Sequence, residues 1–107
     1  MIINFFIFLK METRIQYVKK KIQGGYIGMN AKAAKELKIP FKHKNPARTI
    51  VIWSGLNKKE RISTIQHEKY ESHLMKNGMR YKTAHKRALK FEKKNLLYPS
   101  LKRRKIK

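Results

Sequence analysis

Apolar residues follow two different periods along this chain. From Asn57 to Leu96 the spacing is helical: Leu74 and Met75 bracket one arc of a first helix, and Ala84, Ala88, Leu89, Phe91 and Leu96 form the apolar arc of a second. Asn77-Gly78 lies between them as a helix stop, with Gly78 at the position after the cap. So short a connection predicts antiparallel neighbours. Upstream, Thr49-Ile50-Val51-Ile52-Trp53 is a continuous strand signal closed by Ser54-Gly55. Between Thr13 and Gln23, Ile15, Tyr17 and Ile22 alternate imperfectly with polar residues, as in a half-buried strand. Gly24-Gly25 interrupts it, and residues 26–29 can return as the second arm of a hairpin. Asn30 is a suitable N-cap for a short helix over 31–38, which Pro40 terminates. Residues 41–48 read as a basic loop.

The order strand, short helix, strand, long helix, helix predicts a small α+β domain. Its sheet of two to three strands packs on a C-terminal antiparallel helical hairpin. The expected divisions are an apolar N-terminal extension over 1–10, one domain over 11–98, and a basic tail over 99–107 that leaves ordered structure at Pro99. Residues 1–9 are too short for a membrane span, which needs ~20 apolar residues. They also lack the basic start and small-residue cleavage site of a signal peptide. A start-site artefact with Met11 as the true beginning, a first core strand and a weak membrane anchor all fit this stretch; the first two are preferred. The expected location is the cytoplasm.

Charge changes the picture. The chain has 28 Lys+Arg against 6 Asp+Glu, a formal charge of +22, and no aspartate. Such a protein is drawn to polyanions, nucleic acid first. The one-signed face of the second helix (Arg80, Lys82, Lys86, Arg87, Lys90, Lys93, Lys94) and the tail (Lys102, Arg103, Arg104, Lys105) are the expected phosphate-backbone contacts. The absence of cysteine excludes disulfides and thiolate zinc sites. No Gly-rich phosphate loop, dinucleotide-binding fingerprint or Ser/His/Asp set is present.

Against this basic background, seven of the ten Glu and His fall in the helical hairpin. His67 and Glu71 stand at i and i+4 on one face, and His85 and Glu92 lie within the apolar arc of the second helix. His67, Glu71 and His85 should therefore converge between the helices, with Glu92 behind them. Counting outward from a turn near 78–79 sets residue 85 opposite 72–73, within easy reach of Glu71 and at a stretch from His67. His73 falls on another arc and reads as surface or rim, while Tyr70 and Tyr81 read as packing residues. The bland reading of the same residues is a structural His–Glu hydrogen-bond network.

Residues 49–71 resemble the core of zincin metallopeptidases, in particular the ImmA/IrrE type. The resemblance is carried by Ile50-Val51-Ile52, Leu56, Glu60-Arg61, Thr64-Ile65 and His67-Glu68. It implies a metal held on a helix bearing H-E-x-x-H, with the glutamate as general base. Here Glu71 stands where the family has its second histidine, and His85 stands for the downstream carboxylate. The implied set is then His67, Glu71 and His85 as ligands and Glu68 as base. The ion would be zinc, with iron(II) equally suited to two histidines and a carboxylate. A carboxylate in place of an imidazole lowers the net charge on the metal and weakens it as a Lewis acid.

Two functions follow from these residues. One is a nucleic-acid-associated protein with a divalent-metal site, acting as a metal-dependent hydrolase. The other is a non-catalytic module that binds RNA or DNA backbone within a ribonucleoprotein or virion.

Overall fold

The computed structural model describes residues 13–95, the last three as backbone only. The apolar extension, Leu96, the basic tail with Lys102, Arg103, Arg104 and Lys105, and the side chains of Lys93 and Lys94 lie outside the described residues. The elements run β1 (Arg14–Val18), β2 (Gly28–Asn30), α1 (Ala31–Leu37), a 3-10 turn (Pro46–Arg48), β3 (Thr49–Trp53), α2 (Lys58–Lys76) and α3 (Tyr81–Asn95). This is the α+β arrangement expected, a three-stranded sheet against a helical hairpin.

The sheet is mixed, in the order β1-β3-β2. β3 lies parallel to β1, with Ile50 opposite Ile15 and Ile52 opposite Tyr17. It lies antiparallel to β2, with Val51 opposite Met29. A near-continuous β-branched run belongs in such a central position, covered on both faces. Thr49 to Ile52 are all buried.

The hairpin expected about Gly24-Gly25 is corrected here. Both glycines take positive φ, +90° and +86°, and the turn closes through Gly25 N–H to the Ile22 carbonyl at 2.8 Å. However, the pairing it creates is a single bridge between Ile22 and Tyr26. β1 ends at Val18 rather than continuing to Gln23, because Lys19, Lys20 and Lys21 cannot all face solvent on a strand that alternates its side chains. β3 then takes the place between β1 and β2.

α2 is the hub, touching β2, β3, α1 and α3. A capping box starts it: Asn57 Oδ1 accepts from Glu60 N–H at 2.8 Å, and Glu60 Oε1 accepts from Asn57 N–H at 3.0 Å. A Schellman motif ends it at the expected Asn77-Gly78, with Gly78 N–H to Met75 carbonyl at 3.0 Å and Met79 N–H to Leu74 carbonyl at 3.2 Å. Two apolar clusters flank the hub. Ile27, Ile50, Ile52 and Leu56 join the sheet to Ile65. Met29, Ala33, Ala34, Met75 and Ala84 join β2 and α1 to both arms of the helical hairpin.

Two glycines separate packing from backbone. A Cβ at Gly28 would stand 2.7 Å from Thr64 Cγ2 and 3.1 Å from Glu68 Cγ, so Gly28→Ala must push β2 off α2. The expected cost is about 1–3 kcal/mol of overpacking. Gly78 has φ +99°, and a Cβ added there would meet nothing within 4 Å. Its alanine variant should lose only the conformational term, about 1–2 kcal/mol. Urea unfolding of both variants checks this, and Gly78→Asn should recover part of the second loss, since asparagine also serves at this position.

Candidate metal centre

The interior face of α2 is unusual in chemistry. Its buried residues are Ser63, Thr64, His67, Glu68, Glu71, Ser72 and Met75, six polar and one apolar. A helix that packs against four other elements ordinarily does so through an apolar stripe. Here the middle of that stripe is replaced by ionisable groups, and each must find its partners within the protein.

They find them across the hairpin. His85 Nδ1 lies 2.8 Å from Glu71 Oε2, His67 Nε2 lies 3.2 Å from the same oxygen, and the two ring nitrogens are 3.4 Å apart. The convergence expected of His67, Glu71 and His85 is present, and in the expected order, with His85 closer to Glu71 than to His67. The rings of His67 and His85 meet edge to face at 5.1 Å. His67 and Glu71 are each 1% exposed, whereas the His85 side chain is 23% exposed, so the triangle opens on the His85 side.

Glu92 lies behind them, as anticipated. His67 Nδ1 is 3.1 Å from Glu92 Oε1, and Ser63 Oγ donates to Glu92 Oε2 at 3.2 Å. A carboxylate only accepts, so the doubly protonated ring donates to Glu92 and Glu71 alike, whereas the neutral ring that keeps Nδ1–H for Glu92 turns its Nε2 lone pair toward Glu71 and His85. The electron pairs of His67 Nε2, Glu71 Oε2 and His85 Nδ1 then meet in a space that needs a proton or a cation. Three donors held by an ion of zinc's size would stand about 3.3–3.6 Å apart at bond lengths of ~2.0–2.2 Å; the two edges at His67 Nε2 match this, and the 2.8 Å edge between His85 and Glu71 is shorter, at hydrogen-bond length. The three residues could thus hold one metal ion, with an open side for a further ligand.

Asn30 ties this set to the sheet. Its Nδ2 donates to Glu68 Oε1 at 3.1 Å and to Glu71 Oε1 at 3.0 Å, while its Oδ1 accepts from Ala33 N–H at 2.9 Å as the cap of α1. One side chain therefore starts a helix and holds two carboxylates side by side. Glu68 is 3% exposed and lies against the bare backbone of Gly28. On the open side, Tyr81 stacks on His85 at 5.2 Å. Burial first, and then the negative charge of Glu71, push its phenol well above the usual tyrosine range, and its hydroxyl is hydrogen-bonded with Tyr26. Tyr81 therefore stays protonated at the rim of the cluster.

The other expected residues fall as follows. Lys82, Lys86, Arg87 and Lys90 are exposed along α3. Arg80 is also exposed but pairs with Glu36 at 3.1 Å. His73 is half-buried on its separate arc, its carbonyl accepting from Asn77 Nδ2 at 2.8 Å. Tyr70 stacks on Phe91 at 4.3 Å, a packing role. Among the described residues no helix is long and apolar enough to cross a membrane. Sequence reasoning placed Asn30 only as a cap and did not single out Ser63 or Tyr26. Polar residues at helical spacing with His67, namely Ser63 and Glu71, were the available signal for Ser63.

Comparison with protein-family models, with characterised proteins and with solved structures finds no match.

Asn30→Asp isolates the shared donor. Aspartate is as good an N-cap, but it sets a third carboxylate against Glu68 and Glu71 and removes their common N–H. Thermal unfolding near neutral pH should show a loss of about 1–3 kcal/mol. That loss should shrink as pH falls through the carboxyl range, because protonation removes the like charge. A loss independent of pH would assign it to the missing N–H donor rather than to charge repulsion, since the cap is kept.

Proposed function

We propose that this chain is a strongly basic, nucleic-acid-associated protein with a divalent-metal centre at His67, Glu71 and His85, acting as a metal-dependent hydrolase. The observation that carries this is the triangle of donor atoms, with edges of 2.8, 3.2 and 3.4 Å. The charge balance points the same way. Glu68, Glu71 and Glu92 are all buried, and with neutral imidazoles they would bring three negative charges into one interior. A divalent cation offsets most of that. The resemblance of residues 49–71 to the zincin core supports His67 as a ligand and Glu68 as the base, while Glu71 and His85 depart from that pattern and rest on the geometry alone.

When bound, a zinc or iron(II) ion would supply Lewis acidity toward water and toward a polarised substrate oxygen. The chain's own groups would do the rest. Glu92 holds the His67 ring and its tautomer. Asn30 fixes Glu71 through Oε1 and leaves Oε2 facing the histidines. Glu68 would be the proton acceptor, oriented by the Asn30 amide at its Oε1. Tyr81, kept protonated and hydrogen-bonded with Tyr26, would wall the open side through its stack on His85. The surface charge would bring the protein to a polyanion and so to its substrate.

Zinc titration by calorimetry tests the centre. One ion per chain is expected, with binding abolished in His67→Ala and His85→Ala and weakened about 10–100-fold in Glu92→Gln. Glu68→Gln should retain the metal and lose turnover. Protons compete with the metal for the imidazoles and carboxylate, so affinity should fall as the pH is lowered. Zinc binding that survives His67→Ala, or none at all, would leave the same contacts as a proton-held network. The chain would then be the non-catalytic backbone-binding module.

Nucleic-acid association has its own measurement. Affinity should fall steeply and linearly on a log–log plot against salt, with little dependence on sequence. A flat response would remove it.

A further inference from the structure

The sheet has a second face. Gly28 turns toward Thr64 and Glu68 of α2, and Ile50 and Ile52 pack toward its Ile65. By alternation Met29, Val51 and, on the same side of β1, Val18 turn the other way. At the end of α1, Lys38 takes φ +60° and Ile39 N–H returns to the Ala34 carbonyl at 2.9 Å, which doubles the chain back over this face. The cover is partial. Val18, Val51 and Met29 on one side and Ile39, Pro40 and Phe41 on the other bound a hollow of about 280 Å³. Val51 and Met29 are each 2% exposed, so the floor of the hollow is apolar core.

Its mouth has different chemistry. Lys20, Lys21, Gln23 and His43 stand there, and no carboxylate lines the space. The two lysines are exposed, yet the backbone that carries them is tied to β3. The Trp53 indole N–H donates to the Lys19 carbonyl at 3.2 Å, and Ser54 N–H donates to the Val18 carbonyl at 2.8 Å. Lys21 Nζ lies 4.9 Å over the Trp53 ring. The His43 ring meets Phe41 edge to face, with centroids 5.0 Å apart. Such a contact uses one of the four ring faces of the pair, and both side chains are only half-buried, so flat aromatic surface is left over.

We infer that this hollow is a base-stacking pocket, which takes one unstacked nucleobase of a single-stranded nucleic acid against Phe41 and His43, with the adjoining phosphates at Lys20 and Lys21. The inference rests on the nucleic-acid reading above and adds to it a contact that is not electrostatic. The occupant follows from the lining. An apolar floor with an aromatic wall suits a planar ring, a cationic mouth suits an attached anion, and a nucleotide carries both. The hollow is just under the roughly 300–1,000 Å³ of drug-sized sites, which fits one nucleotide. The Gln23 amide can donate or accept, so it selects no single base. An exposed lysine face reads phosphate alone. Here the part that tells a base from its absence carries no charge.

The test compares two labelled single strands of equal length and charge, one with bases and one abasic, against the full chain in excess chelator. The chelator makes the outcome independent of the metal centre. The parent should hold the base-bearing strand about tenfold tighter. Stacking releases no counterions, so this offset should persist as salt rises while the two strands share one log–log slope. Phe41→Leu keeps an apolar side chain but removes the flat ring. It should abolish the offset and leave abasic binding unchanged, and Phe41→Tyr should restore the offset. Should Phe41→Leu melt early, His43→Ala at the mouth should shrink the offset with its melting unchanged. Equal affinity of the parent for both strands would overturn the pocket and leave binding to phosphate contacts alone. No binding of either strand would remove the nucleic-acid reading and the pocket together. An offset that survives both Phe41→Leu and His43→Ala would place the base elsewhere. An offset seen only in Phe5→Ser/Phe6→Ser would give the hollow to the apolar residues 1–9, and one seen only as a dimer is diluted would give it to a second copy. Each of these three results also overturns the inference.

Discussion

Everything central to this fold meets at the Glu71 carboxylate. One oxygen takes the contacts of His67 and His85 and so joins α2 to α3; the other takes Asn30 and so joins both to β2 and α1. Buried at 1% exposure, it has no bulk water to fall back on. A buried carboxylate that loses a partner keeps its full desolvation penalty, so the hairpin, the sheet edge and the short helix are held to one another by a shared requirement. Apolar packing encloses this set on both sides but does not replace it.

The distribution of acids follows from that requirement. The chain has six glutamates among 107 residues, and the five that are described are all engaged. Glu60 closes the capping box of α2, and Glu36 pairs with Arg80 and accepts from Tyr81 N–H. Glu68, Glu71 and Glu92 are buried together. Negative charge is thus placed inside or at helix ends, which leaves the surface strongly cationic. The attraction expected toward polyanions and the buried cluster are two faces of one allocation of residues.

Much of this was legible in the chain because it is local. β3, the Asn77-Gly78 stop and the stacking of His67 on Glu71 each depend on a few neighbouring residues. His85 was reachable as well, since a short connection fixes register by counting. What failed was pairing at a distance. Nothing near Gly24-Gly25 reveals that β3 will enter between β1 and β2, because strand order is decided by which strand can be buried on both faces. Asn30 is the sharper case. Its sequence context marks a helix cap, and it performs that role, yet its amide also reaches Glu68 and Glu71, 38 and 41 residues away. A cap uses only the side-chain oxygen, and the spare N–H was the overlooked signal.

The strand order also has a consequence for synthesis. β1 and β2 emerge first but pair with β3 rather than extensively with each other, so the three-stranded sheet cannot close until Trp53 has left the ribosome. Until then the nascent segment carries two short strands with open edges and, in between, a run of three lysines that discourages them from recruiting other chains. The helical hairpin, by contrast, is built from local contacts and can begin forming from its own residues. β3 is thus the template on which the two earlier strands are organised.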